Sequence, residues 1–332
     1  MTQKEPITVA ITGAAGNIAY SLIFRICSGE LFGTDQPFNL NLIDIEPGMS
    51  ILEGLVMELQ DSNFHLINKT ICTTDPFEGF RDADYAILLG AYPRNKNQTR
   101  KDLLGKNAPI FKIQGKALSL VAKRTVKVVV VGNPVNTNAL MTTKFAENIP
   151  KENIIALTRL DMNRSISQLS RKLNKNVSNI KNVFTWGNHS ASQFVDLSNG
   201  YLLEGSKKTP LTQLVEEEWI YGKFQKTNQM RGKEVLLKRG RSSAGSAANA
   251  IIDCLKSWIY GTENYVSMGV ISDNNPYNVP ENLIFSFPCT CKNGTWQIAK
   301  DLKPNDFCKK MIKKNVEELV EERRIAFELL KD

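Results

Sequence analysis

Ile7-Thr8-Val9-Ala10-Ile11-Thr12-Gly13-Ala14-Ala15-Gly16-Asn17-Ile18-Ala19 opens the chain with a strand, a glycine turn and the start of a helix. The first six residues form an apolar, β-branched run, as a strand buried on both faces requires. Gly13 and Gly16 punctuate the turn, and a helical run follows to about Cys27. Outward from this unit, Leu40–Ile45, Tyr85–Gly90 and Val126–Val131 read as further buried strands. Ile51–Leu59 carries apolar residues at helical spacing, and a long helix is expected from about Asp102 to Lys123.

Apolar strands alternating with helices predict a parallel sheet covered on both faces. Beyond about Thr158 the pattern changes to helices mixed with hairpin-like strands at 266–271, 283–287 and 295–299, closed by a charged amphipathic helix from about Asn305 to Leu330. The expected fold is α/β, with a Rossmann-type doubly wound parallel sheet over residues 1–156 and a mixed α+β catalytic domain over 157–332. A chain of 332 residues suits two lobes. No repeat, low-complexity tract or Pro/Ser-rich linker interrupts it.

The net charge of +8 comes from basic residues in separate stretches, 96–106, 171–175, 223–241 and 309–314, which aromatics do not interleave as a base-stacking surface would require. That argues for solvated helix faces rather than a nucleic-acid surface. No apolar run approaches the roughly 18 residues of a membrane helix. The first residues carry no signal core or presequence, and the carboxyl end carries no targeting tag, so a cytoplasmic protein is expected. Six scattered cysteines without a C-x-x-C pair read as reduced thiols, and no metal site is expected.

The first turn keeps the last two glycines of G-x-G-x-x-G and has Ile11 in place of the first. Such a turn brings backbone close to a pyrophosphate and aims a helix amino terminus at its charge. Glycine turns without ligands are common, so the acid ending the second strand, Asp44, carries much of the weight. A carboxylate there accepts from ribose hydroxyls and repels a 2′-phosphate, which predicts NAD rather than NADP. The interval from turn to acid exceeds the usual ~20 residues, and Ser28–Phe38 reads as a polar insertion that lengthens it.

Three constellations bear on chemistry. Gly90–Arg100 is a polar loop after a strand's carboxyl end, where ligands bind in doubly wound sheets, and Val131–Asn138 ends the next strand at the same edge. Leu157–Arg164 sets Asp161 and Arg164 three apart at a helix start, on one face. Arginines around a pocket imply an anionic substrate, although each alone reads as a surface ion pair or cap. The fourth stretch, Gly187-Asn188-His189-Ser190, follows the short strand 182–186 and holds one of two histidines in the chain. His189 is therefore the first candidate for proton transfer near neutral pH, against the plainer reading of a histidine capping a strand end. His65 has no partner signature around it.

Thr12–Gly16, Pro93-Arg94 with Arg100–Leu104, Gly132-Asn133-Pro134, Leu157–Asp161 with Asn163-Arg164, Trp186–Ser190 and Val266–Asp273 together resemble the cytosolic-type malate dehydrogenases of the lactate/malate dehydrogenase superfamily. The resemblance runs from about Ile7 to the carboxyl end. It implies a homodimer, with the helix Ile51–Asp61 at the interface, acting on malate and oxaloacetate with NAD. It implies proton exchange at His189, orientation of that ring by Asp161, a carboxylate clamp at Arg164, a distal-carboxylate contact at Arg94 and carbonyl polarisation by Arg100. Asn133 would touch substrate and nicotinamide. Cofactor contacts are implied at Gly13, Ala14, Ala15, Gly16, Asn17, Ile18, Ala19, Asp44, Gly90, Asn107, Gln114, Val131 and Gly132. Asn17 replaces a common glutamine, Asn95 a usual arginine, and Ala244-Gly245 an Ala-Met pair near the substrate, a change expected to enlarge the pocket. The rival expectations are a relative that prefers lactate or bulkier 2-oxo acids, and a catalytically silent NAD-binding protein. The intact set His189, Asp161, Arg164 and Arg100 argues against silence.

Overall fold

The computed structural model describes residues 4–93 and 99–330, with only the backbone of Arg100. Arg94 and Asn95 lie outside the described residues. The chain divides into two compact units, the first Met1–Ala156 with Ala244–Ile252 and Glu322–Asp332, the second Leu157–Ser243 with Asp253–Glu321. Neither unit is continuous in sequence, and residues 244–252 and 322–332 group with the amino-terminal segment rather than with 157–243. There Arg25 bonds Asn249 at 2.9 Å and Thr137 bonds the buried Glu322.

In the first unit, strands β1 (Ile7–Thr12), β2 (Phe38–Ile43), β3 (Ile67–Thr73), β4 (Tyr85–Leu88), β5 (Lys127–Val130) and β6 (Ile154–Ala156) lie in the order β6-β5-β4-β1-β2-β3. Every pairing among them is parallel. Val9, Ala10, Ile11, Leu40, Leu42, Ala86, Ile87, Leu88 and Val128–Val130 are fully buried, as strands covered on both faces must be. The helices are α1 (Asn17–Cys27), α2 (Met49–Asp61), the single turn α3 (Pro76–Gly79), α4 (Arg100–Val121) and α5 (Val135–Phe145). α4 begins earlier than expected because Thr99 and Asp102 form a capping box, which makes Arg100 its first residue. The 28–38 insertion is not merely polar: Leu31 and Phe32 are buried and anchor it.

The second unit holds α6 (Arg159–Leu173), then β7 (Ile180–Lys181), β8 (Phe184–Trp186), β9 (Phe194–Asp196), β10 (Tyr201–Glu204) and β11 (Lys207–Pro210). A single turn α7 (Glu217–Trp219) leads through a π turn at Ile220–Phe224 into α8 (Gln225–Arg239). α9 (Gly245–Tyr260), the antiparallel strands β12 (Val266–Ile271), β13 (Ile284–Lys292) and β14 (Thr295–Ile298), and α10 (Asp306–Glu328) follow. β11-β10-β7 form one small sheet and β8-β9 a hairpin. Leu169 of α6 shares a buried cluster with Ile180, Val183, Val195, Leu202, Leu211 and Phe224. That core fixes α6 against the strands that carry the histidine loop. No two of the six cysteines are joined, and burial pushes the Cys27 thiol up to about 12 and the Cys254 thiol to about 11.

Candidate active site

In the first unit, neighbouring parallel strands end at one edge. Gly13 follows β1, Asp44 comes just after β2, Gly90 follows β4 and Val131 follows β5. Since β4 and β1 are adjacent but far apart in sequence, this is the place where the strand order reverses, the usual ligand crevice of such sheets. Gly13 has φ +65° and lies so near Gly90 that a Cβ would fall 2.7 Å from its amide nitrogen. Only glycine meets both demands. Gly16 caps α1 without a side-chain hydrogen bond, and the first turn, Asn17-Ile18-Ala19, holds no acid. The amino-terminal N–H groups of α1 therefore meet no charge of their own chain from that turn, as an anion site needs. Ala14 is buried; Ala15 N–H donates to Asp44 Oδ2 at 2.8 Å, and Ile45 N–H to Oδ1 at 2.8 Å. The acid is thus aimed at the turn by two main-chain donors, with lone pairs left for ribose hydroxyls.

Gln114 of α4 is buried, and its Oε1 has no hydrogen-bond partner among the described residues. Asn107, fully buried, is committed to the main chain: its Oδ1 accepts from Tyr92 N–H at 2.8 Å and its Nδ2 donates to Leu103 O at 2.9 Å. It holds the start of the 90–93 segment, a role that the expected cofactor contact does not include. Gly132 lets β5's end pass close to Ala91, where a Cβ would fall 2.6 Å from that side chain, and Asn133 beside it is exposed. The uncapped helix, the Gly13–Gly90 approach, the aimed carboxylate and the orphaned Gln114 oxygen fit a dinucleotide such as NAD.

In the second unit, Asp161 sits in the first turn of α6, where the helix dipole favours a carboxylate, and is 1 % exposed. Its Oδ2 lies 2.5 Å from His189 Nδ1, and its Oδ1 accepts from Gln193 Nε2 at 3.2 Å and Arg164 Nη1 at 3.4 Å. Arg164 also donates to Ser243 Oγ at 3.2 Å. Gly232 of α8 lies beside it, and a Cβ there would make ordinary contact at 3.6 Å from the guanidinium. Burial disfavours the His189 imidazolium, but the charge and hydrogen bond of Asp161 override burial and the opposing Arg164, raising His189 above the ordinary imidazole value. Burial likewise works against the Asp161 carboxylate, and His189, Arg164 and Gln193 together hold it below the ordinary range. With Nδ1 on a carboxylate, any proton exchange by this ring would run through Nε2. The plainer reading of His189 as a strand-end cap does not account for a buried carboxylate and a cation behind it.

Sequence reasoning missed what holds the loop after β8. Asn315 of α10 is fully buried; its Oδ1 accepts from Asn188 N–H at 2.8 Å and Ser192 Oγ at 2.9 Å, and its Nδ2 donates to Ser192 O at 2.8 Å. Glu318 accepts from Ser190 Oγ at 2.9 Å and from Ser192. A readable signal existed: on α10, Ile312, Asn315, Leu319, Glu322 and Ala326 are all buried at a 3-4-3-4 spacing, so Asn315 and Glu322 are polar residues on the apolar stripe. Gln193 and Ser243 gave no such signal. Gly245 is exposed, and an added Cβ there meets nothing within 4 Å.

The family described as lactate/malate dehydrogenase, NAD binding domain, matches residues 7–155, and the lactate/malate dehydrogenase α/β C-terminal domain family matches 158–329. "Probable malate dehydrogenase 3" of Dictyostelium discoideum is 50% identical over 332 residues, 99% of each chain. "Malate dehydrogenase, cytoplasmic" of Felis catus is 48% identical over 98% of this chain and 99% of its own. Among solved structures, malate dehydrogenase from Naegleria fowleri is 40% identical with a TM-score of 0.94, covering 99% of this chain and 100% of that one. Trichomonas vaginalis lactate dehydrogenase in complex with NADH and oxamate is 36% identical with a TM-score of 0.94, covering 98% and 99%. Sequence, fold and site agree: the chain belongs to the lactate/malate dehydrogenase family.

Proposed function

We propose that the protein is a malate dehydrogenase, interconverting malate and oxaloacetate with NAD. The observation that carries this reading is the buried Asp161 bound on one oxygen to His189 at 2.5 Å and approached on the other by Arg164. A bound NAD would supply the hydride acceptor for C2 of malate and, as NADH, the hydride donor for oxaloacetate. The chain's own work is binding and proton handling. In oxidation, neutral His189 takes the malate hydroxyl proton at Nε2, and Asp161 stabilises the imidazolium that forms. In reduction, the imidazolium returns that proton to the forming hydroxyl. Arg164 offers a carboxylate a planar, partly buried, permanently charged donor set.

The remaining assignments follow the family resemblance: Arg94 to the distal carboxylate, Arg100 to the carbonyl, Asn133 to substrate and nicotinamide. Cofactor contacts are proposed at the glycine turn 13–19, Asp44, Gly90, Gln114 and Val131–Asn133, with Asn107 shaping the adjacent segment. A homodimer is proposed through α2, where Ile51 is 56% and Met57 62% exposed. A cytoplasmic location is proposed from the names of its relatives; among the described residues no helix is long and apolar enough to cross a membrane.

The test is NADH oxidation with oxaloacetate, pyruvate and phenylpyruvate in parallel. Oxaloacetate should be preferred at least tenfold in kcat/KM, the scale of a paired carboxylate. Preference for pyruvate or phenylpyruvate would move the protein to the lactate or bulky 2-oxo acid branch.

A further inference from the structure

Gln193 is 5 % exposed, and among the described residues its side chain makes one hydrogen bond, from Nε2 to Asp161 Oδ1. Its own carbonyl oxygen, Oε1, is buried and has no partner among the described residues. The amide cannot be turned round, because that would set its carbonyl oxygen against a carboxylate. A buried acceptor without a partner lowers stability, so a plain packing role would favour an apolar side chain here. The side chain is also not needed to anchor its own segment. Gln193 O accepts from Gln229 Nε2 at 2.8 Å, and its N–H donates to Ser190 O at 3.3 Å. What remains for the side chain is its grip on Asp161.

That grip matters because the two donors to Oδ1 differ in kind. Arg164 is charged and, on the function proposed above, must direct its guanidinium to a substrate carboxylate. Gln193 is neutral, has no second acceptor among the described residues, and adds no charge to compete with the imidazolium. We infer that Gln193 is a positioning residue for proton transfer, fixing the plane of the Asp161 carboxylate so that Oδ2 stays on His189 Nδ1 while Arg164 is engaged by substrate. The inference rests on the proposed function. It also explains why a buried orphan oxygen is tolerated beside the reacting histidine: the donor on the same amide requires it.

Gln193→Met, similar in length but with neither donor nor strong acceptor, tests this, with Gln193→Leu made in parallel. Melting temperature, NADH affinity and the pH dependence of oxaloacetate reduction are measured on the full chain. The melting temperature should equal or exceed wild type, and NADH affinity should not change. The kcat should fall at least tenfold, within the span of acid–base contributions. The alkaline limb of kcat/KM should move down by about half a pH unit or more as the loosened carboxylate loses its hold on the imidazolium. Unchanged kcat and limb would overturn the inference, and so would unfolding of both variants, which would place the amide in the fold instead. If wild type itself fails to reduce oxaloacetate, the proposed function falls; if wild type works and the variants match it, only the role of Gln193 falls.

Discussion

Nδ1 of His189 and Oδ2 of Asp161 stand 2.5 Å apart although 28 residues separate them in the chain, and the carboxylate is the more deeply buried of the two, 1% exposed against 24%. The asymmetry suits a proton shuttle, with a fixed counter-charge behind and an accessible ring in front. Because Asp161 outweighs burial and raises the His189 pKa, the histidine titrates above its ordinary ~6.5. With His189 as the proposed proton donor, oxaloacetate reduction would need the imidazolium, so its kcat/KM should be flat at low pH and fall as pH rises through that raised value. Malate oxidation needs the neutral ring and should rise through the same region. The same shift makes the histidine's contribution to stability complete below the unfolded imidazole value and lost as pH rises through the folded one. Stopped-flow pH profiles in both directions check the first claim; a reduction limb below ~6.5 would contradict it.

Removing either partner separates their roles. His189→Asn should cut turnover by about 10²–10⁴-fold while NADH still binds, because none of the glycine-turn residues is touched. Asp161→Asn keeps the side-chain shape but loses the counter-charge, and its pH profile should lose the raised limb. Retention of more than about a tenth of wild-type turnover by His189→Asn would show that another group moves the proton.

Gly187 tests the loop's brace. It has φ +98°, and a Cβ there would collide with the Asn315 amide that bonds Asn188 and Ser192. Gly187→Ala should therefore lower the melting temperature and depress kcat, through strain at the backbone and a displaced Asn315. Thermal unfolding together with steady-state kinetics reads both effects. A variant as stable and active as wild type would mean that the loop yields without consequence.

Cofactor choice should follow Asp44. The wild-type protein should use NADH at least about tenfold better than NADPH, and Asp44→Ser should narrow the gap by removing repulsion of the 2′-phosphate. The substitution also removes the carboxylate acceptor for Ala15 N–H, so a stability loss of about 1 kcal/mol should accompany it. Parallel kinetics with both cofactors decide the matter, and equal use of the two by wild type would refute the role of Asp44.

What could be read from sequence and what could not divide along local and distant interactions. The β1-turn-α1 unit was legible because buried strand, glycine turn and helix are encoded within consecutive residues. β3 was not, because Ile67–Thr73 is an edge strand with exposed Asn68 and Lys69 and no apolar run. Among site residues, Asp161, Arg164 and His189 stood out by type and spacing. Gln193 and Ser243 did not, because their partners lie 32 and 79 residues away and ordinary polar residues carry no mark of a distant contact. The regrouping of 244–252 and 322–332 with the first unit escaped notice for the same reason, since nothing local ties Arg25 to Asn249 or Thr137 to Glu322.

Substrate choice is assigned to Arg94. Oxaloacetate differs from pyruvate by one carboxylate, and a charge brought into a largely dry site without a partner is costly. An arginine that meets that charge discriminates by supplying the partner to one acid and an unpaired cation to the other. An arginine on the loop surface would do neither, and its loss would change little. Arg94→Leu should therefore lower kcat/KM for oxaloacetate by roughly 10²-fold or more while pyruvate turnover holds or rises. Arg100→Leu should impair both, since the carbonyl it is assigned to is common to the two acids. The measurement is kcat/KM for each acid with each variant under saturating NADH. An unchanged oxaloacetate-to-pyruvate ratio in Arg94→Leu would remove the residue-level basis for malate and favour a different 2-hydroxy acid.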